Sequence, residues 1–357
     1  MTTLGNMKVH EVTRDYGIDG LSITERKIPS PSAHQVLVRL DAVSLNYRDL
    51  LIIKGIGRWR PPAGGVPLSD GVGTIVETGS EVQHLALNDR VAGLFFPNWK
   101  EGAVTTEKTR DPLGGPTRDG VLQEYVIFDE DQVVKVPSYL TPAEAATLPC
   151  AALTAWNALI EKGKIHPGKT VLIQGTGGVA LFAAQFSLMS GAQVILLSSS
   201  DEKLERAREL GISQLINYKK TVNWEKAVLD ITGGKGVDHV VEIVGGNNVD
   251  RSISALASNG LISQIGVIDG LKGEIEISKL MPKEGMVQGV QVGSREMFLR
   301  MNQAITLTQL HPIVHKIYPP SVSFVIPPPL RYGTTDSYLS LACKHLRSTL
   351  LSMTWRL

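Results

Sequence analysis

The 357-residue chain has only two cysteines, Cys150 and Cys343, and no excess of charge of either sign, with 36 Lys and Arg against 35 Asp and Glu. Two cysteines can build neither a disulfide framework nor a four-cysteine zinc site. A formal net charge of +1 lacks the cationic surplus that a nucleic-acid surface needs. Long apolar runs are missing too. The most apolar stretch, 171–197, is broken by Gln174, Gly175, Gly177, Gly178 and Gln185, whereas a membrane span needs about 20 nearly uninterrupted apolar residues. The opening MTTLGNMKVHEVTRDYG has no apolar core of a signal peptide. These absences lead us to expect a cytoplasmic protein in a reducing compartment, acting on a small molecule, with neither nucleic acid nor membrane as partner. The 43% of hydrophobic residues suits a globular chain, and the length suits two domains.

What is present changes character along the chain. The first third has short β-prone runs punctuated by Gly and Pro, such as HQVLVRLDAVSLN with Val36, Val38 and Leu40 alternating. These predict a β-rich domain over 1–135. Residues 97–120 are polar and rich in Gly and Pro, and read as a long surface loop. At Thr141-Pro142-Ala143-Glu144 a capping box with Pro at the first helical position predicts a helix running to about residue 160. Strand and helix then alternate. VLIQG, VALFAAQFSLMSG, QVILLS and DEKLERARELG are followed by the strand-like HVVEIVGG, GLISQIGV and MVQGVQVG. This order predicts an α/β domain over 136–293 with a doubly wound parallel sheet.

Within the alternating region, Gly175-Thr176-Gly177-Gly178-Val179-Ala180 fits G-x-G-x-x-G/A between a strand and a helix. The glycines permit a tight turn and close approach of a pyrophosphate to the helix N-terminus. The second strand ends in Ser198-Ser199-Ser200 and is followed by Asp201, Glu202 and Lys203. No acidic residue closes that strand to hold a ribose 2′-hydroxyl. Ser199, Ser200 and Lys203 suit a 2′-phosphate, which predicts NADPH over NADH. Ser200 can equally cap the next helix, with Asp201 and Glu202 favouring its dipole.

Together the β-rich first domain, the Thr-Pro-x-Glu helix start, QGTGGVALFAAQF, SSSDEKLERARELG and INYKK resemble the medium-chain dehydrogenase/reductase superfamily, in its zinc-free quinone-oxidoreductase-like branch, over residues 8–318. The resemblance implies a GroES-like catalytic domain, a Rossmann domain, an active-site cleft between them, and homodimers or homotetramers. It implies that Tyr218 lies by the adenosine phosphate and Thr154 by the nicotinamide, with Gly266, Val267 and Gly293 on strand ends beneath it. The Cys, His and Cys that hold catalytic zinc in relatives match Asn46, Ser69 and Cys150. One thiolate of three is not a zinc site, so no metal is expected and Cys150 becomes a small packed residue beside the cofactor.

Without a Lewis acid, the developing oxyanion must be held by hydrogen bonds, which favours acceptors activated by conjugation. The expected function is NADPH-dependent hydride transfer to an enone, enal or quinone. A metal-free alcohol dehydrogenase or ketoreductase and a non-catalytic cofactor-binding or degraded family member are the alternatives. Asn46, Tyr47 and Arg48 are the candidate catalytic residues: Asn46 as oxyanion donor, Tyr47 as proton donor or cofactor contact, and Arg48 as a phosphate or substrate anchor. Asn46 can instead be a turn residue, Tyr47 packing, and Arg48 the partner of Asp49 or Asp70. The return segment, 294–357, leaves the family pattern at about residue 319. Pro319, Pro320 and Pro327–Pro329 forbid a helix where relatives have one, although Leu339, Cys343, Leu346, Leu350 and Met353 have helical spacing. The tail reads as an out-of-frame or mis-spliced end, which would leave the first domain without its closing strand.

Overall fold

The structure is a computed structural model, which describes residues 5–318 and the backbone of 353–356. These fall into two units, one formed by 5–153, 292–318 and 353–356, the other by Thr154–Gln291. The first division follows Leu153 rather than residue 135, because the segment after Thr141 is tied to the β-rich unit: the Cys150 N–H donates to Asp70 Oδ2 at 2.9 Å.

The first unit opens with an antiparallel hairpin of β1 (Asn6–Val12) and β2 (Leu21–Lys27). Then come β3 (Gln35–Ser44), α1 (Tyr47–Ile53), β4 (Asp70–Thr78), β5 (Arg90–Gly93), α2 (Thr106–Thr109), β6 (Tyr125–Asp129), β7 (Val133–Lys135) and α3 (Pro142–Ala145), and α4 (Leu153–Trp156) starts at the last residue of this unit and continues into the second. The predicted alternation in β3 holds: Val36, Val38 and Leu40 are buried against Ile75, Val91 and Phe128. Leu37 is buried as well, so β3 is covered on both faces. It is paired with both β4 and β6.

The capping box at Thr141 is formed, with Thr141 N–H donating to Glu144 Oε2 at 2.8 Å and Glu144 N–H to Thr141 Oγ1 at 3.3 Å. The helical run it starts is not one regular helix, for π-helical turns span Leu148–Ala152 and Asn157–Lys162. Pro149 lies inside the first of them and supplies no N–H to an α-helical ladder. The 97–120 segment is more ordered than a surface loop. It contains α2, capped by Thr105, and buries Trp99 and Leu113. Asp119 fastens it to the unit by accepting from Val66 N–H at 2.9 Å and pairing with Arg26 at 2.8 Å.

The second unit contains β8 (Thr170–Gln174), α5 (Gly178–Met189), β9 (Gln193–Ser198), α6 (Asp201–Glu209), β10 (Gln214–Asn217), α7 (Trp224–Ile231), β11 (Val237–Glu242), α8 (Asn248–Ala255), β12 (Leu256–Gln264) and β13 (Met286–Gly289). Its six-stranded sheet has the order β10-β9-β8-β11-β12-β13 with every pair parallel. That is the predicted doubly wound sheet, with its strand order reversing between β8 and β11. Leu172, Ile195, Val240 and Ile262 form its buried centre with Trp224 and Ile253 from the helices.

The chain then returns to the first unit through α9 (Arg295–Thr308) and β14 (Lys316–Tyr318). The expectation that the first unit lacks a closing strand is not met. The backbone of β15 (Met353–Arg356) lies between β14 and β3, parallel to one and antiparallel to the other. The helix suggested by Leu339, Cys343, Leu346 and Leu350 lies outside the described residues. Among those described, no helix is long and apolar enough to cross a membrane.

Candidate active site

In the second unit, Gly175 follows β8 directly with φ of +84°, a region that favours glycine. Thr176 continues the turn, Gly177 caps α5, and Gly178 and Val179 begin the helix. The first N–H groups of an α-helix have no intrahelical acceptors, so they and the helix dipole form a site for an anion. Ala180, at the third motif position, is fully buried. Gly266 is also dictated by space, because a Cβ there would stand 1.9 Å from Ile243 O. Val267 follows it on the same strand-end loop, and Thr154 is buried in α4. Gly293 belongs to the first unit, where a Cβ would meet Leu153 Cγ at 2.8 Å.

The parallel register of β9 and β10 sets Asn217 beside Ser198, and Tyr218 N–H donates to Ser198 O at 3.0 Å. This brings Ser199, Ser200 and Tyr218 to one end of the sheet. Ser200 Oγ caps α6 by accepting from Lys203 N–H at 3.4 Å. Burial lowers the Lys203 ammonium from its ordinary pKa. Asp201, the first residue of α6, is engaged by Lys220 Nζ and Asn217 Nδ2, each at 2.6 Å. Glu202 pairs with Arg206 at 2.9 Å.

The first unit gathers a buried polar cluster between β3 and α1. Asn46 is the N-cap of α1, and its N–H donates to Asp49 Oδ2 at 2.8 Å. Asp49 is held by Arg48, whose Nη1 lies 3.2 Å from Oδ1 and also donates to Leu113 O at 2.9 Å. The Arg48 guanidinium stacks 4.9 Å from the Phe95 ring centroid. Tyr47 is the half-buried first residue of α1. At the start of β4, Asp70 accepts from Ser69 Oγ at 2.6 Å and from Cys150 N–H at 2.9 Å. Burial pushes the Asp70 carboxyl up to about 7, with the nearby Asp49 adding to the rise and Ser69 opposing it. Burial also raises Asp49, against the pull of Arg48. Asn46 Nδ2 is buried without a hydrogen-bond partner of ordinary geometry, yet the Asn46 side chain is near enough to favour the charged form of both carboxyls.

Residues 32–138 match the family described as alcohol dehydrogenase GroES-like domain, and residues 178–307 the family described as zinc-binding dehydrogenase. The chain is 42% identical over 310 residues to the zinc-type alcohol dehydrogenase-like protein C1773.06c of Schizosaccharomyces pombe, a match covering 85% of this chain and 89% of that one. It is 32% identical over 304 residues to the zinc-type alcohol dehydrogenase-like protein YogA of Leptosphaeria maculans, covering 81% and 84%. Among solved structures, a putative alcohol dehydrogenase from Sinorhizobium meliloti aligns over 100% of both chains with a TM-score of 0.87 and 36% identity. The chain belongs to the medium-chain dehydrogenase/reductase superfamily. It is an oxidoreductase of a family that uses NAD or NADP.

For a medium-chain dehydrogenase, the composition of the polar cluster is informative. Asn46, Ser69 and Cys150, the positions matched to zinc ligands, converge on a single carboxyl, Asp70. An amide, a hydroxyl and one thiol are not the three Cys, His or carboxylate ligands that a catalytic zinc takes. Among the described residues, no group of three or more His, Cys, Asp or Glu is placed to hold a metal. The residues present therefore do not fit that metal. The dinucleotide fits, since the Gly175 turn leads into the first helix N–H groups of α5, which have no intrahelical acceptors. Sequence reasoning missed Asp49, Asp70 and Glu242 as structural centres. Asn46 and Asp49 do carry a signal, for a capping residue followed three positions on by an acid is a helix-start pattern. Asp70 and Glu242 had a weaker one: each is an acid at one end of a strand whose neighbouring residues are mostly apolar and buried.

Proposed function

We propose that the protein is an NADPH-dependent reductase of conjugated carbonyl compounds, enones, enals or quinones, working without zinc. NADPH, when bound, supplies the hydride. Gly175, Thr176, Gly177, Gly178 and Val179 hold its pyrophosphate, and Ser199, Ser200, Lys203 and Tyr218 its 2′-phosphate. Thr154, Gly266, Val267 and Gly293 border the nicotinamide. The observation that carries the reading is the gathering of Asn46, Ser69 and Cys150 around Asp70 in place of a metal set. Hydrogen bonds alone can stabilise the charge that collects on the oxygen of a conjugated acceptor. Asn46 Nδ2, a buried amide donor beside Asp49 and Asp70 without a hydrogen bond of ordinary geometry to either, donates to that oxygen. Arg48 acts by holding Asp49, and Tyr47 supplies a hydroxyl from the same helix start.

The deciding experiment is anaerobic incubation with NADPH and a single enone, followed by product analysis. A saturated ketone supports this reading. An allylic alcohol supports the second one, a metal-free alcohol dehydrogenase or ketoreductase, which the 36% identity to a putative alcohol dehydrogenase favours. Metal analysis of the purified protein, with much less than one equivalent of zinc expected, tests the metal-free part. We include assembly into a homodimer or homotetramer in the proposal. Its support is the exposure of Ile277, Met281, Met286 and Val287 on and before the edge strand β13, and light scattering tests it.

A further inference from the structure

Glu242 ends β11, and β11 lies next to β8, whose last residue is Gln174. Its carboxylate is fully buried. Five neutral groups donate to it. Val244 N–H and Gly245 N–H reach Oε1 at 2.8 and 3.0 Å, and Gln174 Nε2 and Ser252 Oγ reach Oε2 at 2.9 and 2.5 Å. Asn248 Nδ2 contacts both oxygens, at 3.2 and 3.0 Å, and also reaches Gln174 Oε1 at 3.1 Å. The Glu242 carbonyl accepts from Ile265 N–H at 2.9 Å and Gly266 N–H at 3.1 Å. One residue thus joins the ends of β8, β11 and β12 to α8.

A fully buried carboxyl ringed by neutral donors is an expensive way to stabilise a sheet, since well-packed apolar residues do so at less cost. Both carboxyl oxygens are taken up by donors, two backbone N–H groups on one side and two side chains on the other, with Asn248 bridging them. The location of Glu242 is the second point. The strand order reverses between β8 and β11, and ligands of open α/β sheets bind outside the strand ends at such a switch point. Gly175 is the next residue after Gln174, and a Cβ on Gly245 would stand 2.8 Å from Gly266 O. A shift of Glu242 therefore moves both the phosphate-binding turn and the Gly266–Val267 loop.

We propose that Glu242 is a positioning residue for the cofactor, setting the Gly175–Gly178 turn and the 244–246 and 265–267 loops in mutual register. This rests on the reading that the Gly175 turn binds the dinucleotide. In Glu242→Gln the new amide faces donors on one side, so Gln174 and Ser252, or Val244 and Gly245, lose their acceptor. The test uses the full chain and titrates NADPH and NADH by fluorescence, with circular dichroism and thermal unfolding alongside. We expect both dissociation constants to rise about 10- to 100-fold, the size of effect of a small misplacement. The NADPH-to-NADH affinity ratio stays at the wild-type value, because the pyrophosphate is common to both. In turnover, KM for the cofactor rises while kcat changes little, and Glu242→Asp recovers part of the affinity.

A Glu242→Gln protein that melts earlier yet binds both cofactors as wild type does would reduce Glu242 to a structural role and overturn the proposal. If that variant does not fold, Ser252→Ala and Asn248→Ala keep the carboxylate and remove one donor each. Each should weaken both cofactors several-fold, and wild-type affinity in both would also overturn it. Failure of the wild-type protein to bind either cofactor is a separate result, which refutes the reading of the Gly175 turn itself.

Discussion

Replacing Asp70 by asparagine should change how stability depends on pH in a direction fixed by the structure. Asp70 is fully buried, and burial first, then the neighbouring Asp49, lifts its carboxyl from 3.8 to about 7, with the Ser69, Asn46 and Cys150 hydrogen bonds opposing. A carboxyl with a raised folded-state pKa binds its proton more tightly folded than unfolded. Its stabilising effect is therefore complete below about pH 4 and is lost as pH rises through about 7. A rise of about three units, at 1.36 kcal/mol each, amounts to roughly 4 kcal/mol, of which about 3 kcal/mol falls between pH 5 and pH 8. Asparagine keeps the shape without the titration. Its Oδ1 can accept from Cys150 N–H while its Nδ2 donates to Ser69 Oγ, which can turn to accept.

The wild-type curve alone does not isolate this effect. His239 is buried on β11, its pKa lowered to about 4 by desolvation, and its contribution is lost as pH falls. The two slopes oppose each other. The quantity to measure is the unfolding free energy of wild type minus that of Asp70→Asn, from urea titrations at pH 5, 6, 7 and 8. This difference should fall by about 3 kcal/mol across the series, with the steepest change below pH 7. A difference constant to within about 0.5 kcal/mol, the usual scatter between independent mutational measurements, would show that Asp70 is ionised throughout and refute the reasoning.

Lys203→Ala should weaken NADPH binding by about 1–3 kcal/mol, the range for a lost charged hydrogen bond, and leave NADH nearly unchanged in parallel titrations. Equal losses would assign Lys203 to the structure of α6 instead. Gly163→Ala should lower stability by about 1–3 kcal/mol through overpacking. A Cβ there would stand 2.3 Å from His239 Nδ1 and 2.8 Å from Leu159 O, and a melting temperature equal to wild type would show that the 157–163 turn yields freely.

Legibility in the sequence followed the range of the interactions. The Gly175 turn, the Thr141 capping box and the alternating units of the second unit are local, and periodicity or spacing of a few residues encodes them. The polar cluster is not local. Asp70 and Cys150 lie 80 positions apart in the chain, and nothing around either residue announces the other. Arg48 shows the same limit, because its Asp49 partner is adjacent while Leu113 O, its other acceptor, belongs to a segment that reads as an open loop. The Glu242 cage draws on Gln174 of β8 and on Asn248 and Ser252 of α8, two elements more than 70 positions apart at their nearest cage residues.

The tail is where composition misled most, and where the backbone makes a firm prediction. Prolines from 319 to 329 and the lost family pattern suggest a segment that contributes nothing, so that removing it should be nearly neutral. Instead Thr354, Trp355 and Arg356 are in register with Ser44, Val43 and Ala42 of β3, and Met353, Thr354 and Trp355 with Lys316, Ile317 and Tyr318 of β14. Removing residues 353–357 strips pairing from both neighbours, at about 1 kcal/mol for each hydrogen bond lost. β3 runs directly into Asn46 and α1, so the polar cluster loses support along with the sheet. The truncated chain should melt several degrees lower and lose catalytic turnover together with stability, as read by thermal unfolding and NADPH oxidation. Trp355→Pro, which deletes one N–H from a strand paired on both sides, should reproduce part of the loss, and Trp355→Val should reproduce less of it. A truncated chain with the melting temperature of the full protein would return the tail to the passenger role that its composition suggests.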